Sequence, residues 1–226
     1  VLGNRTSLSL ANSGSGSRWG NAELSDPASL SRQRVEWASR LQSGNVYDTE
    51  FSRSLRSAYS DTVLFAQGQS YGTAPVGNFA DVQIGRDLRY LARNLAYAKQ
   101  SGARRQIYLV QDGGYDTHTG QLSNDTNNPG LETRMSDVAN SVSAFDASMQ
   151  AAGMNNDVVT VIMSEFGRTL DPAAGAGSDH AWGNHWFAVG GPVKGGMVYG
   201  NTFPTLQTGG VDDASFWQPY RGQWLP

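Results

Sequence analysis

The sequence contains no cysteine, and this absence limits the kind of site that the chain can carry. Disulfide bonds, thiolate nucleophiles and cysteine zinc sites are excluded, so a bound metal ion must be held by histidine, carboxylate or backbone oxygen. Lysine is scarce too, with only Lys99 and Lys194 among 17 basic residues. The formal net charge of -3 argues against nucleic-acid binding, which needs a basic face, and we expect no nucleic-acid partner.

A long hydrophobic run is also missing. The longest apolar stretch, Val158 to Met163, is far shorter than the roughly 20 residues of a membrane-spanning helix, so we expect no membrane span. With 226 residues the chain can bury a sizeable core, and we predict one domain over residues 1–226. The first residue is Val1 rather than Met, from which we expect that the N-terminal part is missing.

The chain has three regions of different character. Residues 1–25 are rich in Ser, Gly and Asn and indicate an irregular N-terminal segment, residues 26–170 form a helix and strand core, and residues 171–226 form a loop-rich C-terminal part. Apolar spacing predicts four helices: from Asp26-Pro27 to Gly44, over about 49–67, from Ile84 to Gly102 and from Leu131 to Gly153.

Two short apolar runs predict strands. Ile107–Val110 follows the third helix, and Val158–Met163 follows the fourth. An almost uninterrupted apolar strand is typical of one buried on both faces, and helices that alternate with such strands predict an α/β fold with a mostly parallel sheet covered by helices. Trp186–Val189 and Met197–Tyr199 are two further strand candidates.

All three histidines lie in loops after the two predicted strands. His118 follows the first strand, and His180 and His185 lie beyond the second, with Asp116 and Asp179 close to His118 and His180. Ligands of open α/β sheets bind beyond the carboxyl ends of the strands, where such side chains would converge. Imidazole and carboxylate together suit Zn or Mn, and oxygen-rich sites take Ca. We predict a single divalent-metal site. The alternative is that these are ordinary surface residues, with Asp179 closing a structural turn.

Glu165 and Arg168 lie just past the second strand and add two candidate catalytic residues. Glu165 can bind the metal or act as a base, and the planar guanidinium of Arg168 can hold an oxyanion. The alternative is that these two residues form a simple ion pair.

Four motifs resemble, in order and spacing, a bacterial family catalogued as domain of unknown function 1501. They are Gly113-Gly-Tyr-Asp-Thr-His118, Val161-Ile-Met-Ser-Glu-Phe-Gly-Arg-Thr169, Gly177-Ser-Asp-His-Ala-Trp-Gly183 and Gly190-Gly-Pro-Val-Lys-Gly-Gly-Met-Val-Tyr-Gly200. The resemblance covers roughly residues 80–200.

That family is in turn similar to the alkaline phosphatase and sulfatase superfamily, which implies an exported α/β sandwich with one or two divalent metal ions. By this resemblance Asp116 and His118 match an acid-plus-histidine metal motif, and His180 matches a late histidine ligand. Glu165 stands where relatives have an aspartate ligand. The superfamily nucleophile would lie upstream of Val1.

These expectations combine into one leading function and one alternative. The leading function is a periplasmic or secreted metal-dependent hydrolase of phosphate or sulfate esters, with a small anionic ester or a sulfated or phosphorylated glycan as substrate. The alternative is an exported binding or structural protein with a vestigial metal site.

Overall fold

The computed structural model describes residues 26–41, 44–71, 75–102, 104–200 and 205–213. The chain divides into two compact units, between Val110 and Gln111. The irregular segment predicted over residues 1–25 lies outside the described residues, and the single domain over 1–226 stays a prediction.

The described part of the first unit contains three helices, α1 (Leu30–Ser39), α2 (Val46–Ser70) and α3 (Gln83–Gln100). Helix α2 packs against both α1 and α3. On α3, Ile84, Leu88 and Leu91 are buried, which confirms the predicted apolar face. Gly102 follows α3 with a φ of 86°, a left-handed conformation that glycine adopts readily at a helix end.

Helix α1 begins later than predicted. The Asp26 carboxylate accepts a hydrogen bond from the Ala28 N–H at 2.9 Å, so Asp26 closes a turn instead of starting the helix. Ser29 is the residue that caps α1, which begins at Leu30.

The second unit contains α4 (Leu131–Ala151) and two small antiparallel sheets. Strand β1 (Thr160–Ile162) pairs with β4 (Phe187–Val189), and β2 (Gly167–Arg168) pairs with β3 (His180–Ala181). Helix α4 matches the predicted span and buries Phe145 and Met149. It ends before Gly153, which has a φ of 65°.

The apolar runs predicted as buried strands are more exposed than their composition indicates. Ile107 is 87 % exposed, and no strand is present between residues 104 and 110. Strand β1 occupies the middle of the second run, but Val161 is 49 % exposed, so its predicted burial on both faces is wrong. The reason is that, among the described elements, no helix packs extensively on β1, whose main contacts are with β4.

Every strand pairing among the described residues is antiparallel. The mostly parallel sheet covered by helices, and with it the alkaline-phosphatase-like sandwich, stays a prediction that these pairings do not test. Met197–Tyr199, predicted as a strand, is irregular. No described helix is long and apolar enough to cross a membrane.

Candidate metal centre

The β2–β3 pair forms the base of the candidate site. Arg168 lies directly opposite His180, so both side chains project from the same face of the pair. The pairing continues one residue further, because the Thr169 N–H donates to the Asp179 carbonyl at 2.9 Å and the Thr169 hydroxyl accepts from the Asp179 N–H at 3.0 Å. This register fixes the position of His180.

The loop of residues 111–120 supplies the other members of the site. The Ser178 N–H donates to the Thr117 carbonyl at 3.1 Å, and the Gly120 N–H donates to the Gly175 carbonyl at 3.0 Å. Any side chain at Gly177 would collide with the backbone of His118, so this close approach requires glycine. These contacts hold His118 beside β3.

Three side chains meet there and form what we call the His–His–Asp cluster: Asp116, His118 and His180. The Asp116 Oδ1 atom lies 3.0 Å from Nε2 of each histidine. The two Nε2 atoms lie 3.1 Å apart. Two atoms that each bind one ion at about 2.1 Å lie roughly 3–3.4 Å apart. The spacing of the cluster is therefore suitable for one metal ion.

The cluster is open to solvent. The side chains of Asp116, His118 and His180 are 68 %, 44 % and 53 % exposed. Structural zinc sites are closed by four protein ligands, whereas catalytic sites have three and keep a position for water or substrate. Three ligands and an open side match the second kind of site.

Asp179 contacts His118 through the ring nitrogen that does not take part in the cluster. Its Oδ1 lies 3.0 Å from Nδ1 of His118, which leaves Nε2 of that ring facing Asp116 and His180. A carboxylate that accepts from the second ring nitrogen of a ligating histidine fixes the tautomer and the orientation of the ring. Asp179, which was predicted as a ligand, therefore occupies an orienting position.

We expect Asp179→Asn to weaken Zn²⁺ or Mn²⁺ binding about ten-fold and Asp179→Ala up to about 100-fold, because His118 loses its charged partner. Asp171→Asn, at an exposed position of the same loop, is the matched control and should bind like the wild type. Isothermal titration calorimetry measures the three affinities. Equal affinities in all variants would contradict the orienting role.

Arg168 connects the two loops that carry the cluster. Its guanidinium donates to the Ser178 carbonyl at 2.8 Å, to the Tyr115 carbonyl at 2.9 Å and to Asp116 Oδ1 at 2.5 Å. The side chain is only 17 % exposed. The ion pair considered between Glu165 and Arg168 is absent, since Arg168 pairs with Asp116 instead.

The surroundings of Asp116 keep it charged. Its pKa is lowered from the ordinary value, mainly by the hydrogen bond from His180 and then by the one from Arg168. A carboxylate must be ionised to bind a metal ion, so the shift favours the state that a ligand needs.

The structure does not bring Glu165 or His185 into the cluster. Glu165 is exposed and lies at a bend between β1 and β2. His185 is also exposed, and its backbone N–H donates to the Asn184 side chain at 2.8 Å. Of the six predicted ligands, Asp116, His118 and His180 meet.

Two residues of the site were not predicted. The Gln121 side-chain oxygen accepts from the Thr117 hydroxyl at 3.1 Å and from the Ser178 hydroxyl at 2.5 Å, so it connects the same two loops. Tyr115 donates to Asp112 at 2.6 Å, and burial followed by this hydrogen bond raises its pKa. Tyr115 is therefore a neutral donor at neutral pH. A glutamine or tyrosine in a polar loop carries no spacing signal that would mark either role.

A protein-family model described as Protein of unknown function (DUF1501) matches residues 46–213. The chain belongs to the DUF1501 family. The DUF1501 match is longer than the stretch of residues 80–200 in which the motifs were recognised, and it includes the whole His–His–Asp cluster. No curated protein and no solved structure matches the chain. The similarity to alkaline phosphatases and sulfatases stays a prediction.

Proposed function

We propose that this chain is a metal-dependent hydrolase of phosphate or sulfate esters, with Asp116, His118 and His180 as the protein ligands of one divalent metal ion. The observation that supports the proposal is the geometry of the His–His–Asp cluster: three ligand atoms 3.0–3.1 Å apart with an exposed side. A bound divalent cation would supply a Lewis acid for the oxygens of the ester.

The ligand set favours some metal ions over others. Two imidazoles and one carboxylate suit Zn²⁺ or Mn²⁺, whereas Ca²⁺ prefers six to eight oxygen ligands. Of the metals expected from the sequence, we therefore place Zn²⁺ and Mn²⁺ before Ca²⁺. An exported location, periplasmic or secreted, belongs to the same proposal and rests on the sequence resemblance.

The chain's own residues would have separate tasks. Asp179 orients His118, and Arg168 holds Asp116 against the two histidines. The open side of the cluster leaves room for the anionic part of an ester. Asp116 contributes a negative charge to the ligand set, which offsets part of the charge of the cation.

One observation favours the alternative, an exported binding or structural protein with a vestigial metal site. The Arg168 guanidinium already donates to two backbone carbonyls and to Asp116, so fewer of its donors remain for the predicted clamp on an oxyanion. A metal site without such a clamp can serve stability or ligand capture alone.

Metal removal should destabilise the whole chain. A metal ion that binds only the folded state raises the free energy of unfolding by about 2.7 kcal/mol at a free metal concentration 100 times the Kd. We therefore expect a lower Tm in excess chelator than with Zn²⁺ or Mn²⁺. His118→Ala is the control and should respond much less. Elemental analysis and differential scanning calorimetry provide the measurements. The same Tm with and without chelator, with no metal retained, would contradict a metal site.

The catalytic part of the proposal has a separate test. The metal-loaded full-length protein should hydrolyse members of a panel of phosphate and sulfate monoesters, and its His180→Ala variant should not. A full-length protein that binds metal tightly but cleaves nothing in the panel would favour the binding or structural alternative.

A further inference from the structure

Two exposed aromatic residues flank the β2–β3 pair that carries the metal ligand His180. Phe166 comes directly before β2, and Trp182 comes directly after β3, two residues beyond His180. Between His180 and Trp182, Ala181 is 7 % exposed and packs inward.

Phe166 is in ring contact with a metal ligand. The centroid of the Phe166 ring lies 4.4 Å from that of the His180 ring, with 36° between the ring planes. Phe166 therefore lies directly against a ligand of the His–His–Asp cluster.

Both aromatic side chains remain open to solvent. Phe166 is 44 % exposed and Trp182 is 69 % exposed, although each has a large apolar ring. Aromatic rings give much contact area with few rotatable bonds, so they lose little entropy when a flat group stacks on them. An exposed aromatic pair next to an open metal cluster is suitable for the non-reacting part of a substrate.

We propose that Phe166 and Trp182 form a stacking surface for a ring carried by the substrate, so that the chain selects ring-bearing esters, aryl or pyranose, over ring-free ones. The inference rests on the proposed function and names its substrate class. The shared chemistry is a flat face of C–H or π character. Stacking of this kind corresponds to a preference of about three- to ten-fold in affinity.

The chain offers matched controls for both residues. Trp186 and Phe187 are similarly exposed, at 61 % and 64 %. Phe187 is the first residue of β4 in the other sheet, and Trp186 directly precedes it. Trp182→Ala can therefore be compared with Trp186→Ala, and Phe166→Leu with Phe187→Leu. Leucine keeps an apolar contact with His180 but removes the flat ring.

The experiment measures binding of four probes to the Zn²⁺-loaded chain by isothermal titration calorimetry: phenyl phosphate, glucose 6-phosphate, glycerol phosphate and inorganic phosphate. We expect phenyl phosphate, glucose 6-phosphate or both to bind three- to ten-fold more tightly than glycerol phosphate. The ratio should fall close to one in Trp182→Ala and Phe166→Leu and stay unchanged in both controls. Which of the two ring probes is preferred distinguishes an aryl from a sugar substrate.

The failure of this inference differs from that of the proposed function. If Zn²⁺ and inorganic phosphate bind but the ring preference is absent, or falls equally in the controls, the stacking surface is overturned and the metal site stands. If wild-type chain binds neither Zn²⁺ nor phosphate, both proposals fail. Gel filtration adds a further outcome. If the wild type is a dimer that Trp182→Ala dissociates, and no ring preference is found, the stacking surface is a contact between two copies of the chain and the inference is overturned.

Discussion

His118→Ala and His180→Ala should each lower the affinity for Zn²⁺ or Mn²⁺ by on the order of 100-fold or more. Loss of a residue that only orients a ligand lowers affinity about 10–100-fold, and loss of the ligand itself should exceed that range. Each substitution leaves two of the three atoms of the His–His–Asp cluster. Two ligands do not define the geometry of an ion that prefers four or more.

His185→Ala is the control for this prediction. It removes the same side chain from an exposed position outside the cluster, and metal affinity should stay at the wild-type value. Competition with a chelator of known affinity measures all three variants on one scale. A large loss in His185→Ala, with little loss in His180→Ala, would place the metal elsewhere and contradict the cluster.

The helices could be predicted from the sequence because their signals are local. The apolar spacing from Leu131 to Met149 needs no knowledge of distant residues, and α4 spans Leu131–Ala151 as expected. Strand pairing is not local in this sense. The run from Val158 to Met163 predicts an extended segment, but it does not specify that its partner is Phe187–Val189 or that the pair is antiparallel.

The candidate site shows the same division. Asp116, His118 and His180 could be predicted because ligand types gathered in glycine-rich loops are a chemical signal. The partner of Arg168 could not, since Glu165 is near in sequence whereas Asp116 is 52 residues away and becomes a neighbour only after the loops fold together. The contact between the rings of Phe166 and His180 likewise depends on the pairing of β2 with β3.

Arg168→Ala should lower the free energy of unfolding by about 2–4 kcal/mol and also weaken metal binding. Its guanidinium donates to the Ser178 and Tyr115 carbonyls and to Asp116, and the side chain is largely buried. Removing the guanidinium leaves these three acceptors without their donor, and each acceptor that water does not reach costs about 1–3 kcal/mol of stability. Asp116 would also lose the contact that holds it against the histidines. Urea denaturation and metal titration measure the two effects.

Two further variants separate this positioning role from the predicted anion clamp. Arg168→Lys keeps the charge but not the planar fork, so it can restore only part of the stability and of the metal affinity. Glu165→Ala changes an exposed side chain outside the cluster, and its unfolding free energy should stay within about 0.5 kcal/mol of the wild type. If Arg168 were a clamp on the substrate, Arg168→Ala would keep both stability and metal and would weaken only the binding of phosphate, sulfate or vanadate. That pattern would contradict the positioning role, because a residue that assembles the cluster cannot be removed without loss of metal.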